Sequence, residues 1–444
     1  MNHLGKGNKV GLWINDNPVK TIVILGIFIR LLVAFLYQHI TLYPDTADYL
    51  YLAERLSNLD LNGYEGQRSP GYPLLLCLAG LSYLITTITQ CVVGIFTMVL
   101  FYKTMLLTGI DKNISLLVTL ITTCYLPIVF FEYAILTESL TLFLITAIFY
   151  VFFDEKEKNK IVWLAILGIY LILVKPFYIF LPILLFGALL LKDDSITATF
   201  RRYAISLFIL PLMIFFGWSY INKINTGYFT STTFFGFNLT QNCVSFAENT
   251  TPEYQEIGSI YAKYRDNRIS DKEEAMVIWE AYPEIQDVTG LSYFPDLSNK
   301  LYDYSIVTIY ENPVPYLKQI FISWRDFWKT SLYWEYDSFA VTCCANHIIN
   351  YICYVERIIL QLIKILFVLF IPYNIIQYFR KRKVSPELVI SCVVFSASVL
   401  QALVTYGTNS RFSYPFELLI IMSMTLNSIS IYRVYYSKYM FKKS

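Results

Sequence analysis

Ten apolar runs, each near the length of a membrane-crossing helix, recur along this chain and constrain its fold more than any other feature. In a bilayer core the backbone N–H and C=O groups have no water to bond, so such runs must fold as helices that satisfy those groups internally. The spans are read at 21–40, 82–107, 116–131, 139–153, 161–174, 177–191, 203–221, 351–372, 388–405 and 415–432. With 56% hydrophobic and only 15% charged residues, the chain belongs among polytopic membrane proteins rather than soluble domains. The expected fold is an all-α integral membrane bundle of about ten transmembrane helices.

Basic residues orient the bundle. Lys6, Lys9 and Lys20 precede the first span, Arg380 to Lys383 follow the eighth, and Lys438, Lys442 and Lys443 end the chain, so these segments are expected in the cytoplasm. The count then puts residues 41–73 and 222–350 outside. Three parts follow: an N-terminal transmembrane module at 1–221, a small, mainly helical extracytoplasmic region at 222–350, and C-terminal spans at 351–444. A net charge of +2 gives no bulk field toward nucleic acid. Three His and eight Cys occur without CxxC or HExxH spacing, so no zinc or redox site is assigned. Cys243, Cys343 and Cys344 fall outside the spans, and their disulfide state is left open.

The stretch from Tyr43 to Pro73 is a polar island with seven charged residues in an otherwise apolar setting. Ala47, Leu50, Ala53, Leu56 and Leu59 recur at helical spacing, which predicts an amphipathic helix along the membrane surface over 46–59. Asp45 falls at its N-terminus, where free N–H groups and the helix dipole favour a carboxylate. Asn62 and Gly63 are expected to close the helix. Arg68-Ser69-Pro70-Gly71-Tyr72-Pro73 then reads as a rigid, non-helical return to apolar sequence.

Asp45, Asp48, Arg68, Glu132, Glu138, Lys175 and Arg411 all fall at the same outer boundary. Ionisable groups at that depth are costly unless paired or facing a wet cavity. Cations there suit a phosphate, Arg with a planar fork and Lys as a compact charge, while a fixed carboxylate can take a proton from a hydroxyl. Asp45 is expected to stand apart from those cations. Each residue also has a plainer reading: Asp45 as a helix cap, Asp48 as a solvated helix residue, Glu132 as an interfacial charge, Lys175 and Arg411 as snorkelling side chains. Arg30, mid-span, is read as a structural partner inside the bundle.

The island resembles the first outer loop of the GT-C superfamily of polyprenyl-phosphate-sugar glycosyltransferases, in the branch similar to protein O-mannosyltransferases and lipid A aminoarabinose transferases. Asp45, Tyr49 and the Arg68 to Pro73 turn carry the likeness. Leu136 to Leu140, Leu173 to Pro176, Gly217 to Gly227 and Asn409 to Pro415 extend it in order along the membrane part. The resemblance implies Asp45 as catalytic carboxylate, with Lys175, Arg411 and Arg68 as donor phosphate ligands. Glu138, Asp48, Tyr49 and Tyr72 would shape the site. It also implies a polyprenyl-phosphate-linked sugar donor, a lipid, glycan or protein acceptor, contact with membrane lipids, and a bacterial inner membrane with the site facing the periplasm or exterior. No cofactor is demanded, although Asp45 and Asp48 could ligate a divalent metal. The family often has Arg where Lys175 stands, and residues 222–350 match no accessory domain of the family. Two other readings remain: an O-antigen polymerase or ligase using outer-loop arginines, and a lipid or solute transporter with charges lining a path through the bundle.

Overall fold

The structure, a computed structural model, describes residues 13–192, 195–268, 271–330, 339–341, 344–407 and 409–441. Helices follow one another throughout, and among the described residues the only β-pairing is a single bridge between Thr41 and Ala134. Six helices are long and apolar enough to cross a bilayer, a bent pair can make a seventh span, and three shorter apolar helices complete the set. These elements coincide one for one with the ten apolar runs of the sequence. The protein is an all-α polytopic membrane protein.

The third span departs from expectation. It breaks into Lys112–Thr123 and Leu126–Glu132, bent by 55°. Pro127, in the first turn of the second piece, cannot continue the ladder of the first. The N–H of Leu126, freed by the break, donates to the Glu356 carboxylate on the Cys344–Lys381 helix at 3.2 Å. Glu132 ends this broken span and is 1% exposed, so it is not an interfacial charge. Its carboxylate accepts from both Nε and Nη2 of Arg30 at 2.7 and 2.5 Å. The expectation that Arg30 serves as a structural ion-pair partner identified its role but not its mate.

That pair needs a glycine. A Cβ on Gly94, in the Tyr83–Leu107 helix, would fall 1.8 Å from Glu132 Oε1 and 2.6 Å from Arg30 Nη2. Disrupting one member of a buried ion pair costs about 3–5 kcal/mol. Gly94→Ala is therefore expected to lower the unfolding temperature of the detergent-purified protein sharply. Gly187→Ala, where a Cβ meets nothing within 4 Å, serves as the control that leaves it in place.

The Glu138–Phe153 helix is the axis of the bundle, buried over nearly its whole length. The helices Tyr83–Leu107 and Lys160–Val174 pack on it. Beyond the spanning helices, Phe235–Gln241, Gln255–Asp266, Val277–Thr289 and Phe294–Glu311 enclose a second apolar cluster, in which Phe237 stacks on Trp279 and Phe294 at 4.7 and 5.0 Å. Pro313–Phe327 follows after a break at Asn312, with Pro313 in its first turn, where proline is tolerated. Gln241, Asn242 and Tyr316 hydrogen-bond to residues 402–405, seating this cluster on the Pro386–Val404 span. Cys243 is a buried free thiol inside it. Cys343 and the Cys344 side chain lie outside the described residues.

Candidate active site

The island helix runs from Pro44 to Ser57, two residues earlier than expected and of the same length, and at its start the Tyr43 N–H donates to the Thr46 hydroxyl at 3.0 Å. Its buried face holds Thr46, Tyr49, Leu52 and Ala53, whereas Ala47 and Leu59 are exposed. The buried stripe is thus rotated from the apolar stripe of the sequence. Asp45, Asp48, Tyr49 and Leu52, at helical spacing, present the inward side, where an ion network borders the apolar packing of Tyr49, Leu52 and Ala53.

Three attachments bring this loop to the bundle. Thr41 exchanges backbone hydrogen bonds with Tyr133 and Ile135, and the Thr46 hydroxyl donates to the Ile135 carbonyl, which sets the helix start beside the turn leading to Glu138. The return turn becomes helical at Gly71, sooner than the sequence suggests. A Cβ there would lie 2.5 Å from the backbone of Leu173 and Val174, so only glycine lets the turn press against the segment just before Lys175. Finally, Thr232 and Thr233 bond the carbonyls of Gln67 and Glu65, joining the loop to the outer cluster.

Six of the seven boundary residues meet as one unbroken alternation of charge. Asp48 accepts from Arg68 Nε and Nη2 at 3.1 and 2.8 Å. Arg68 Nη2 also donates to Asp45 Oδ1 at 2.8 Å. The other Asp45 oxygen accepts from Arg411 Nη1 at 3.0 Å. Arg411 then grips Glu138 through Nε at 2.6 Å and Nη2 at 3.3 Å, and Lys175 Nζ reaches the same carboxylate at 3.1 Å. Glu132, the seventh, pairs with Arg30 instead.

Asp45 does not stand apart from the cations, as the sequence reading expected; it is held by two of them. Half-buried guanidinium groups need counter-ions, and Asp45 and Glu138 supply them. Burial alone would raise the Asp45 carboxyl, but the adjacent Arg68 and Arg411 outweigh it and bring it from the usual 3.8 down to about 2. Asp45, Asp48, Arg68, Arg411 and Lys175 keep between 17% and 29% of their side chains open, whereas Glu138 is sealed. The network therefore has an accessible side and a buried anchor.

Arg68 is also flanked by aromatic rings. Besides the two carboxylates, its guanidinium lies over the rings of Tyr49 and Phe234 at 4.9 and 4.4 Å. Tyr72 meets Tyr49 edge-on at 5.1 Å and donates to Gln90, so the two tyrosines expected to shape the site pack on each other, Tyr49 directly against Arg68. Two further residues escaped the sequence reading. The fully buried Tyr64 hydroxyl donates to the Arg68 carbonyl at 2.6 Å and accepts from its N–H at 2.5 Å, fixing the backbone from which Arg68 projects. Lys364, fully buried in an apolar span, pairs with Glu417 and donates to Ser413, both at 2.8 Å, and so holds the short Asn409–Ser413 helix that carries Arg411. Tyr64 has no signal beyond its place between Asn62-Gly63 and Arg68; Lys364 has one, as a lone cation within an apolar run. Among the described residues no three His, Cys, Asp or Glu side chains gather to hold a metal ion.

No protein-family model matches the sequence, and no curated protein matches it. Two solved structures align along almost the whole chain. One is the archaeal oligosaccharyltransferase AglB from Archaeoglobus fulgidus in complex with an inhibitory peptide and a dolichol-phosphate, at 10% identity and TM-score 0.47, covering 96% of this chain and 52% of that one. The other is the Archaeoglobus fulgidus oligosaccharyltransferase tethered to an acceptor peptide, at 9% identity and TM-score 0.47, covering 94% and 50%. This chain spans about half the length of those proteins. The superposition is loose, and the functional reading rests on the residues of the site itself.

Proposed function

We propose that the protein is a GT-C-type membrane glycosyltransferase that moves a sugar from a polyprenyl-phosphate donor to an acceptor hydroxyl, with inversion, at the extracytoplasmic face of a bacterial inner membrane. The observation that carries this reading is the six-member ion network, in which Asp45 and Glu138 share Arg411 at one end of a helical bundle. The donor's phosphate would take the accessible edges of Lys175 and Arg411. Arg68, held by two carboxylates and two rings, positions Asp45 rather than binding phosphate.

In the reaction the bond between the anomeric carbon and the phosphate oxygen breaks, and polyprenyl phosphate leaves with the electron pair. The acceptor oxygen forms the new bond from the opposite face, and its proton passes to Asp45. A carboxylate held near 2 is a weak base while both arginines grip it. A phosphate that draws Arg411 away removes one of those cations and makes Asp45 more basic, so donor binding and base activation are one event. Arg411 and Lys175 then stabilise the charge that grows on the leaving phosphate.

The test is transfer from a radiolabelled polyprenyl-phosphate sugar by purified protein in vesicles. Lys175→Met is expected to raise the donor KM about tenfold or more, the worth of one charge-assisted hydrogen bond. Movement of the labelled lipid across the vesicle without formation of a glycosidic bond would replace this reading with the transporter.

A further inference from the structure

Beside the ion network, beyond the Glu65–Arg68 turn, lies a groove of about 520 Å³, within the size range of small-ligand sites. Its wall is shared with the network. Thr232 and Thr233 line the groove and bond the carbonyls of Gln67 and Glu65, and the next residue, Phe234, lays its ring on Arg68.

The lining divides into two kinds of surface. Phe215 and Phe216, partway along the Leu210–Thr226 helix, and Phe229, stacked on Phe216 at 6.1 Å, give it an apolar side. Thr230, Ser231, Ser298, Asn299 and Tyr302 give it hydroxyl and amide groups. Among the described residues no charged side chain lines it, although charges are frequent in the surrounding region. Two carboxylates bonded to lining residues are thereby engaged, Asp296 by the Tyr228 hydroxyl and Asp303 by the Asn299 amide.

This chemistry selects its occupant. A phosphate-bearing lipid finds no cation in the groove, and a basic peptide finds no anion. A molecule with hydroxyls at one end and hydrocarbon at the other satisfies both surfaces, with aromatic rings offered to its apolar faces. We propose that the groove seats the acceptor, and that the acceptor is an uncharged, hydroxyl-rich glycan carried on a lipid. The acceptor role rests on the transferase reading above; the binding of a neutral glycolipid does not.

The proposal is tested without turnover, on the full chain in phosphatidylcholine nanodiscs. A photoactivatable alkyl maltoside and a photoactivatable phosphatidylglycerol serve as probes, and cross-linked peptides are mapped by mass spectrometry. The maltoside is expected to label the segments holding Phe229 and Tyr302 about tenfold more than the anionic probe does, as a difference of 1.4 kcal/mol would give. Ser231→Trp, which fills a partly exposed position in the lining, and Phe229→Ala, which removes an exposed ring, should each reduce that labelling. Labelling spread evenly round the membrane belt, equal labelling by the anionic probe, or an unchanged pattern in both variants would overturn the proposal. Transfer that depends on Asp45 but keeps its acceptor KM in Ser231→Trp would overturn the groove alone. Retained labelling with no transfer by the wild type would instead overturn the acceptor role together with the transferase.

Discussion

Asp45→Asn is expected to reduce sugar transfer by about 10²- to 10⁴-fold, the range by which a positioned general base contributes. The amide keeps the size of the carboxylate but can accept from only one of Arg68 and Arg411, which bond different oxygens of Asp45, and it cannot take the acceptor's proton. Donor binding should move the other way. Asp45 pairs with Arg411 and on the proposed mechanism would compete with phosphate for it, so its neutralisation leaves that guanidinium held by Glu138 alone, and the donor dissociation constant should stay level or fall. Separating the two effects requires equilibrium binding of the labelled donor alongside single-turnover transfer. Wild-type transfer by the Asp45→Asn protein would remove Asp45 from the chemistry and favour a ligase that relies on arginine.

The same residue sets a pH dependence. A carboxyl lowered from 3.8 to about 2 contributes about 2 kcal/mol to folding. Because the folded value is the lower one, the contribution is complete above pH 4 and disappears as pH falls through about 2. Unfolding in mixed micelles should therefore show a wild-type advantage over Asp45→Asn at pH 6 that shrinks steadily between pH 4 and 2. A constant gap across that window would mean that the carboxylate is not held by Arg68 and Arg411.

Membrane depth explains how much of the site could be read from sequence. Each of the ten apolar runs fixes where its ends lie, so the gathering of Asp45, Arg68, Glu138, Lys175 and Arg411 at one end followed from counting spans. Depth does not fix rotation. Glu132 lies at the same boundary yet turns inward to Arg30, and Lys364 lies within an apolar run yet turns toward Glu417 and Ser413. Nor does apolar spacing alone identify the inward side of the island helix, because ion pairs of Asp45 and Asp48 border the buried Tyr49, Leu52 and Ala53. The break at Tyr125 was signalled by Pro127, but the run was apolar enough to be read as one span.

Glu138→Gln is expected to be the most destabilising single change in the network. Glu138 is fully buried and takes two hydrogen bonds from Arg411 and one from Lys175. Among the described residues it is the only carboxylate bonded to Lys175, and it supplies half of the charge that holds Arg411. Removing one partner of a buried pair costs about 3–5 kcal/mol, mostly through the charge left behind. If that is the cause, a second change should recover part of the loss, because Lys175→Met in the same chain removes one stranded cation. The four proteins of this cycle, compared by unfolding in one mixed-micelle system, should give a coupling of about 1–3 kcal/mol between positions 138 and 175. Additive losses would make Glu138 a packing residue and leave Lys175 without its anchor. Coupling at that level would instead mean that one sealed carboxylate aligns Lys175 and Arg411, the two cations assigned to the donor's phosphate, before any donor arrives.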